Sequence, residues 1–204
     1  MAILISGRGS NMNAILSAHS NLELKYIQPC VVISNKNDAP GLKIAKEKYS
    51  IATEVITSNG KKGWDYDKDI VSVLRKYHVY PSKGIVCLAG YMRILSREFV
   101  REYKLRILNI HTSLLPSFKG LHAQRQAVDY GVKLSGCTVH FIDDDVDTGP
   151  IILQESVPVY SNDTEEDLAN RILQLEHNLY PHALRLFSEG KLKVEGRKVI
   201  FLDN

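Results

Sequence analysis

Short apolar runs with strand character alternate with helical patterns along the first 110 residues of this chain. The run at residues 85–89 is apolar throughout, as expected for a strand of a parallel sheet that helices cover on both faces. Strands that alternate with helices predict an α/β fold with a mostly parallel sheet. The predicted strands cover residues 2–6, 27–34, 53–56, 85–89 and 105–110, and the predicted helices cover residues 11–19, 42–49 and 66–77, followed by a short helix that Ser96 caps and that runs through Tyr103.

The pattern changes after a loop at residues 117–120. Acidic residues directly after Thr164 predict the start of a long helix. The remaining predicted elements are a helix at 124–130, two strands at 135–142 and 151–158 that could pair antiparallel, the long helix up to residue 188, and a terminal hairpin of strands 191–194 and 198–201. We therefore expect residues 1–204 to form one domain. Its Rossmann-like, mostly parallel sheet would be flanked by helices on both faces and followed by antiparallel strands and a long helix.

Composition narrows the classes of partner. The formal net charge of the 204 residues is +3, and the basic residues are scattered, which argues against nucleic acid or a membrane surface as a partner. No apolar run approaches the roughly 20 residues that cross a bilayer. The three cysteines, Cys30, Cys87 and Cys137, lie in apolar runs without metal-ligand spacing and are expected to be buried and free. A cytoplasmic protein, monomer or homodimer, is the expectation.

An amide and an imidazole lie two positions apart where a predicted strand ends. Asn109 and His111 would share one side of that strand, which in an open α/β sheet can face the ligand crevice. A downstream acidic turn supplies Asp147, followed by Thr-Gly-Pro. An amide donor, an imidazole and a carboxylate are the groups needed to move an acyl group onto an amine. His140, on the strand before the turn, either lines the same site or is a core histidine with its hydrogen bonds satisfied.

A glycine-containing turn follows the first predicted strand and opens the first helix. Its sequence is Gly7-Arg8-Gly9-Ser10-Asn11. Glycines let the backbone approach an anion, and a helix N-terminus supplies free N–H donors, so a single phosphate monoester is the expected ligand. The alternative is a tight turn that needs glycine, with Ser10 or Asn11 as the helix cap. The acidic turn at residues 143–147 lacks the spacing of a calcium loop, and no metal site is predicted.

These motifs together resemble the formyltetrahydrofolate-dependent transferases, most closely the branch that formylates glycinamide ribonucleotide (GAR). The resemblance covers nearly the whole chain. The Asn-x-His…Ser-Leu-Leu-Pro and Asp-x-Gly-Pro pair is specific for the superfamily, and the Gly-x-Gly-Ser-Asn start is specific for the GAR branch. The matching motifs occur at residues 5–11, 34–36, 88–95, 109–116, 140–141, 147–150 and 176–177.

The resemblance implies a role for each matching residue. The chain would transfer a formyl group from 10-formyltetrahydrofolate, as co-substrate and without a metal, to the glycyl amine of GAR. The N-terminal half would bind the phosphate, and the C-terminal half would carry the folate and catalytic loop. Asn109 would lie beside the formyl group, His111 would be the acid, and Asp147 its partner. The implied binding residues are Gly9, Ser10 and Asn11 for the phosphate, Glu176 for the ribose, and Met92, Arg93, Ile94, Leu95, Asn109 and Val146 for the folate, with Lys62 as the cation nearest to the position of the family's folate-binding arginine.

Other members of the superfamily fit less well. Methionyl-tRNA formyltransferase carries an additional C-terminal domain and more positive charge, and formyltetrahydrofolate deformylase adds an N-terminal regulatory domain and lacks the phosphate loop. A sugar-nucleotide formyltransferase needs a larger nucleotide pocket. A phosphate or nucleotide sensor without catalytic activity would explain the glycine turn, but it gives no reason for Asn109, His111 and Asp147 together.

Overall fold

Four parallel strands and the first part of a fifth form the sheet of the first of two units in this protein. The computed structural model describes residues 1–202, and the units meet in sequence between Asn109 and Ile110. Neighbouring strands pair in the order β3-β2-β1-β4-β5, all parallel. The elements are β1 (Ala2–Ile5), α1 (Ser10–Ser20), β2 (Val31–Ser34), α2 (Pro40–Tyr49), β3 (Ala52–Val55), α3 (Trp64–Lys76), β4 (Val86–Leu88), α4 (Arg97–Glu102) and β5 (Ile107–His111).

The central strands of the first unit are apolar because both of their faces are covered. Every residue of β1, β2 and β4 is buried, whereas the residues of the edge strand β3 are partly or largely exposed. Ser96 caps α4 as predicted, since its side chain accepts a hydrogen bond from the Phe99 N–H. The carboxyl ends of β1, β2 and β4 are followed by loops in which ligands of parallel sheets commonly bind.

The second unit is built on antiparallel strands and one long helix. Its elements are α5 (Ala123–Tyr130), β6 (Leu134–Phe141), β7 (Ile151–Pro158), α6 (Glu165–Ser188), β8 (Leu192–Glu195) and β9 (Lys198–Phe201). β6 pairs antiparallel with β7, β9 runs parallel to β7, and β8 closes a hairpin with β9. Thr164 and Asp167 form a capping box at the start of α6, which packs against β6 and β7.

The fold class predicted from the sequence is confirmed: a mostly parallel sheet with helices, together with C-terminal antiparallel strands. The prediction of one domain over residues 1–204 stays a prediction, with residues 203–204 outside the described part. No helix within residues 1–202 is long and apolar enough to span a membrane.

The largest error in the predicted elements concerns the second strand. The sequence predicts this strand from residue 27, but β2 begins at Val31. Pro29 has no N–H for a strand ladder, so the segment before it runs as irregular chain. Cys30 consequently lies outside the strand and is partly exposed, contrary to the prediction that it is buried. Cys87 and Cys137 are buried and form no disulfide within residues 1–202, and burial raises the pKa of the Cys137 thiol to about 12.

Candidate active site

Asp147 lies beside two imidazole rings in the second unit. Its Oδ2 atom is 3.3 Å from Nδ1 of His111, and its Oδ1 atom is 3.7 Å from Nε2 of His140. The side chains of His111, Asp147 and His140 are 7%, 10% and 0% exposed, respectively. Charges in such a water-poor site interact more strongly than they would in bulk solvent. The structure thus brings together three of the residues that the sequence singled out.

The loop after β5 supplies hydrogen-bond partners to both members of the His111–Asp147 pair. The carbonyl oxygen of Phe118 accepts a 2.8 Å hydrogen bond from Nε2 of His111. The backbone N–H of Gly120 donates a 2.8 Å bond to Oδ2 of Asp147. Because a carbonyl oxygen is only an acceptor, Nε2 of His111 carries a proton in this arrangement. Each ring nitrogen of His111 therefore has an oxygen acceptor for its proton.

Buried side chains hold that loop in place. The hydroxyl of Thr138, in β6, donates to the Ser113 carbonyl at 2.7 Å and accepts from the Leu115 N–H at 3.0 Å. The Gln154 amide, in β7, donates to both the Thr138 hydroxyl and the Leu115 carbonyl at 2.9 Å. The Ser113 hydroxyl in turn donates to the Ser117 carbonyl at 2.6 Å. These bonds fix the backbone immediately before Phe118, and with it the acceptor that His111 uses.

His140 is both a core residue and a neighbour of the carboxylate. Its Nδ1 atom lies 2.8 Å from the Phe141 carbonyl oxygen, so Nδ1 is the donor there. Burial lowers the pKa of His140, an effect that the nearby Asp147 carboxylate only partly opposes. Nε2 is the ring atom of His140 that faces Asp147. The two alternatives left open by the sequence are therefore not exclusive.

The acidic turn that carries Asp147 has an unusual backbone. Asp147 has a φ of 52°, in the left-handed region, which aspartate adopts more readily than most residues with a side chain but less readily than glycine. The turn closes tightly on β6, because the Phe141 N–H donates to the Pro150 carbonyl at 2.9 Å. A Cβ atom on Gly149 would lie 1.8 Å from the Phe141 carbonyl oxygen, so only glycine fits that position. This packing explains the glycine of the Asp-x-Gly-Pro motif.

Asn109 is the last residue of the first unit. It lies in β5 opposite Leu88 of β4 and is half-buried. It precedes His111 by two positions in the same strand, so the two side chains leave β5 on the same side.

The glycine turn of the first unit leads directly into α1. Gly9, with a φ of 73°, is the residue that precedes the helix, and no side chain caps the helix start. The alternative that Ser10 or Asn11 serves as the cap is therefore wrong. Gly41, near the start of α2, donates its N–H to the Gly7 carbonyl at 3.1 Å, and a Cβ on Gly9 would lie 3.0 Å from the Gly41 Cα atom. The turn thus presents an uncapped helix N-terminus, which is suited to an anion.

The loop after β4 exposes apolar side chains. Met92 and Ile94 are 63% and 78% exposed, whereas Leu95 is buried. Ser6 at the end of β1 accepts a 2.8 Å hydrogen bond from the Met92 N–H. The Arg93 guanidinium lies 3.9 Å above the Tyr66 ring of α3, which anchors the loop. An anchored loop with two apolar side chains in solvent is a candidate surface for a flat apolar ligand.

The remaining predicted binding residues lie apart along the chain. Lys62 is exposed in the loop before α3, Val146 is 46% exposed in the acidic turn, and Glu176 is 4% exposed in α6. The structure therefore leaves their assignment as a prediction. Among the described residues, no group of three or more His, Cys, Asp or Glu side chains could hold a metal ion.

Sequence reasoning missed the groups that hold the His111–Asp147 pair. The Gly120 N–H and the Phe118 carbonyl belong to the backbone, and no pattern of residues predicts which way these groups point. Thr138 and Gln154 lie in predicted strands, where a hydroxyl and an amide were available as signals. A fully buried threonine between apolar neighbours needs hydrogen-bond partners, so its place in an apolar strand was the available signal that Thr138 makes a buried polar contact.

Comparison with known proteins gives consistent results. The family model described as formyl transferase matches residues 1–184. The chain is 47% identical over 196 residues to the trifunctional purine biosynthetic protein adenosine-3 of Bos taurus, covering 95% of this chain but 19% of that protein. It thus spans about one fifth of the length of such relatives.

Other relatives are matched over most of their length. The phosphoribosylglycinamide formyltransferase of Escherichia coli (strain K12) is 41% identical over 194 residues, which cover 95% of this chain and 89% of that protein. The crystal structure of glycinamide ribonucleotide transformylase 1 from Symbiobacterium toebii superposes with a TM-score of 0.90 at 45% identity, covering 99% of this chain and 93% of that one.

Proposed function

Because this chain belongs to the formyl transferase family, we propose that it transfers the formyl group of 10-formyltetrahydrofolate to the glycyl amine of GAR. The products are formyl-GAR and tetrahydrofolate, in a step of purine biosynthesis. The observation that carries the proposal is the buried His111–Asp147 pair, with its carboxylate fixed by the Gly120 N–H. Such a pair supplies a proton donor and a proton acceptor in one water-poor place.

His111 and Asn109 act on the formyl oxygen. When the GAR amine attacks the formyl carbon, negative charge develops on that oxygen, and donors placed there lower the barrier. The Asn109 amide N–H is one donor. The other is the Nε2–H of His111, which leaves the Phe118 carbonyl for the formyl oxygen when the substrates bind. One such donor is typically worth about 3 kcal/mol of transition-state stabilisation.

Asp147 and His111 also move the protons, so that the reaction balances. The attacking amine loses a proton to Asp147, directly or through one water molecule. The C–N10 bond then breaks, its electron pair stays on N10, and His111 delivers a proton there. The proton received by Asp147 restores His111 through the 3.3 Å contact between them.

The binding residues are proposed on the chemistry of each segment. Gly9, Ser10 and Asn11 hold the phosphate of GAR at the uncapped start of α1, and Glu176 binds the ribose hydroxyls. The exposed apolar side chains of Met92 and Ile94 fit the flat, largely apolar folate ring system. The other folate-binding residues proposed are Arg93, Leu95, Asn109, Val146 and, as a cation, Lys62.

The test mixes the protein with GAR and 10-formyltetrahydrofolate and follows the release of tetrahydrofolate by absorbance. Release that depends on both substrates, with formyl-GAR identified by mass spectrometry, supports the proposal. Release of formate and tetrahydrofolate without GAR indicates a deformylase instead. Binding of GAR without any turnover would leave only the sensor, and the transferase proposal would be abandoned.

The setting of the reaction belongs to the same proposal. We place the activity in the cytoplasm, with GAR and the formyl-folate as the small-molecule partners and no nucleic acid or membrane involved. Both a monomer and a homodimer fit these roles. Size-exclusion chromatography with light scattering distinguishes them.

A further inference from the structure

Arg197 connects the C-terminal hairpin to the acidic turn. It lies in the turn between β8 and β9, where it is exposed. Its Nη2 atom donates a 2.7 Å hydrogen bond to the Thr148 carbonyl, 49 positions earlier in the chain. The next residue, Lys198, is the one that pairs with Ile151 of β7. The guanidinium is therefore held beside the start of β7, close to where the acidic turn ends.

Thr148 is the central residue of the turn's hydrogen bonds. Its hydroxyl donates to Oδ1 of Asp143 at 2.5 Å and lies 3.2 Å from the Asp145 carbonyl oxygen. The side chain of Thr148 thus fixes the first half of the turn, and its carbonyl is fixed by Arg197. Asp147, between these restraints in sequence, keeps the unfavourable positive φ described above. Strained backbone of this kind persists only where the surroundings restrain it.

The charge of Arg197 suits this position. The turn concentrates four carboxylates, those of Asp143, Asp144, Asp145 and Asp147, within five residues. Their mutual repulsion favours opening of the turn, and a guanidinium bound to its backbone opposes that repulsion. The Arg197 bond is also charge-assisted on the donor side, which makes it stronger than a bond between neutral groups.

We propose that Arg197 is a positioning residue, which acts through Thr148 to hold the Asp147 carboxylate against His111. Its kinetic consequence rests on the proposed transferase function, whereas its effect on the turn does not. Arg197 contacts no reacting atom in this scheme. Its removal loosens the turn that carries Asp147 and Val146, and leaves the glycine turn at residues 7–11 unchanged.

The first test measures the turn without any substrate. Backbone ¹⁵N relaxation is compared for wild type, Arg197→Ala, Arg197→Lys and Lys198→Ala, the last a matched loss of one exposed positive charge in the same hairpin. In Arg197→Ala, we expect the order parameters of the Thr148 and Gly149 amides to fall from about 0.85 towards 0.6. They should stay near the wild-type value in Arg197→Lys and Lys198→Ala. Equal order parameters in all four proteins would overturn the proposal.

The second test measures steady-state kinetics with both substrates. Arg197→Ala should lower kcat/KM for 10-formyltetrahydrofolate by roughly fivefold to tenfold, the size expected for one charge-assisted hydrogen bond at an exposed site. Part of this loss should appear as a higher KM for 10-formyltetrahydrofolate, because the loosened turn carries Val146, while the KM for GAR should change less than about twofold. General loss of folded protein would lower kcat and leave both KM values unchanged. Arg197→Lys should recover most of the loss, and Lys198→Ala should match wild type.

The two tests separate the possible failures. If wild type forms no formyl-GAR, the proposed function is wrong, and the relaxation data still decide whether Arg197 restrains the turn. If wild type is active and the turn loosens in Arg197→Ala without any kinetic change, the proposed link to Asp147 is refuted. Equal losses of kcat/KM in Arg197→Ala and Lys198→Ala would reduce the effect to net charge and refute it as well.

Discussion

The backbone N–H of Gly120 donates a 2.8 Å hydrogen bond to Oδ2 of Asp147. The same oxygen faces the imidazole of His111, so the loop after β5 and the acidic turn meet at one carboxylate atom. The backbone N–H keeps its proton at neutral pH, so it orients the carboxylate without taking part in proton transfer. The His111–Asp147 geometry thus depends on two loops, each held by bonds remote from the reacting groups.

Substitution of Asp147 by asparagine should nearly abolish turnover. Asparagine keeps the size of the side chain, but it cannot take the proton from the amine, and general acid–base steps are worth about a hundredfold to ten-thousandfold. We expect kcat to fall by more than about a hundredfold, while calorimetry shows GAR affinity within about threefold of wild type. Asp129→Asn, on the exposed surface of α5, is the control. A loss of kcat smaller than tenfold would contradict the proton relay.

Removal of the His111 ring should cost transition-state stabilisation rather than substrate binding. His111→Ala is expected to lose about 2–4 kcal/mol in kcat/KM, because the ring donates to the developing oxyanion and protonates N10. His182→Ala, exposed on α6, serves as the matched histidine control. Steady-state kinetics on both variants give the measurement. Wild-type kinetics in His111→Ala would mean that the histidine is only structural.

The Thr138 hydroxyl should matter for both stability and rate. Thr138→Val keeps the shape of the side chain but leaves the Leu115 N–H and the Ser113 carbonyl without this partner, at a cost of about 1–3 kcal/mol in the free energy of unfolding. Urea titration measures that loss. We expect kcat to fall too, because the loop that carries the Phe118 carbonyl relaxes. Thr138→Ser keeps the hydroxyl and should recover both, and if it does not, the hydrogen bonds are not the cause.

The Asp163–Arg171 pair gives the protein a stability term that disappears in acid. Two bonds of 2.7 and 2.8 Å from the Arg171 guanidinium lower the pKa of Asp163 from 3.8 to about 2. A carboxyl whose pKa is lowered by folding stabilises the folded state above its unfolded pKa and ceases to do so as the pH falls through the folded value.

The Tm difference between wild type and Asp163→Asn should therefore be constant above about pH 5 and shrink progressively between about pH 4 and pH 2. Thermal unfolding followed by circular dichroism across this range is the measurement. Asp129→Asn should show no comparable change with pH. A difference that grows as the pH falls would have the wrong sign for this mechanism.

Alternating strand and helix patterns were sufficient to predict the fold class. Burial on both faces makes β1, β2 and β4 almost entirely apolar, and this is visible in the sequence. The ends of elements were harder to predict. A single proline moved the start of β2 from residue 27 to Val31, and a glycine in a left-handed conformation precedes α1 where the alternative interpretation had a cap at Ser10 or Asn11. Both differences depend on backbone geometry that side-chain periodicity does not report.

Within the candidate site, the sequence pointed to the reacting side chains but not to what holds them. His111 stood out because it follows Asn109 by two positions at a strand end, Asp147 because Thr-Gly-Pro follows it in the downstream turn, and His140 because it lies on the strand before that turn. The Gly120 N–H is a backbone group. Arg197 lies among surface residues, and nothing in their composition distinguishes it from the other exposed charged side chains. Hydrogen bonds between positions 49 apart depend on the tertiary fold, and a sequence pattern cannot specify them.

The close approach of Gly149 to the Phe141 carbonyl limits how this protein can diversify. Because backbone meets backbone there, the turn cannot be lengthened or tilted from its C-terminal end without separating β6 from β7. Because the Asp143 carboxylate accepts the Thr148 hydroxyl and so belongs to the frame, new ligand preferences would have to arise by exchange of the side chains at residues 144–146. Libraries aimed at altered substrates should therefore vary those three positions and leave Asp143 and Gly149 untouched.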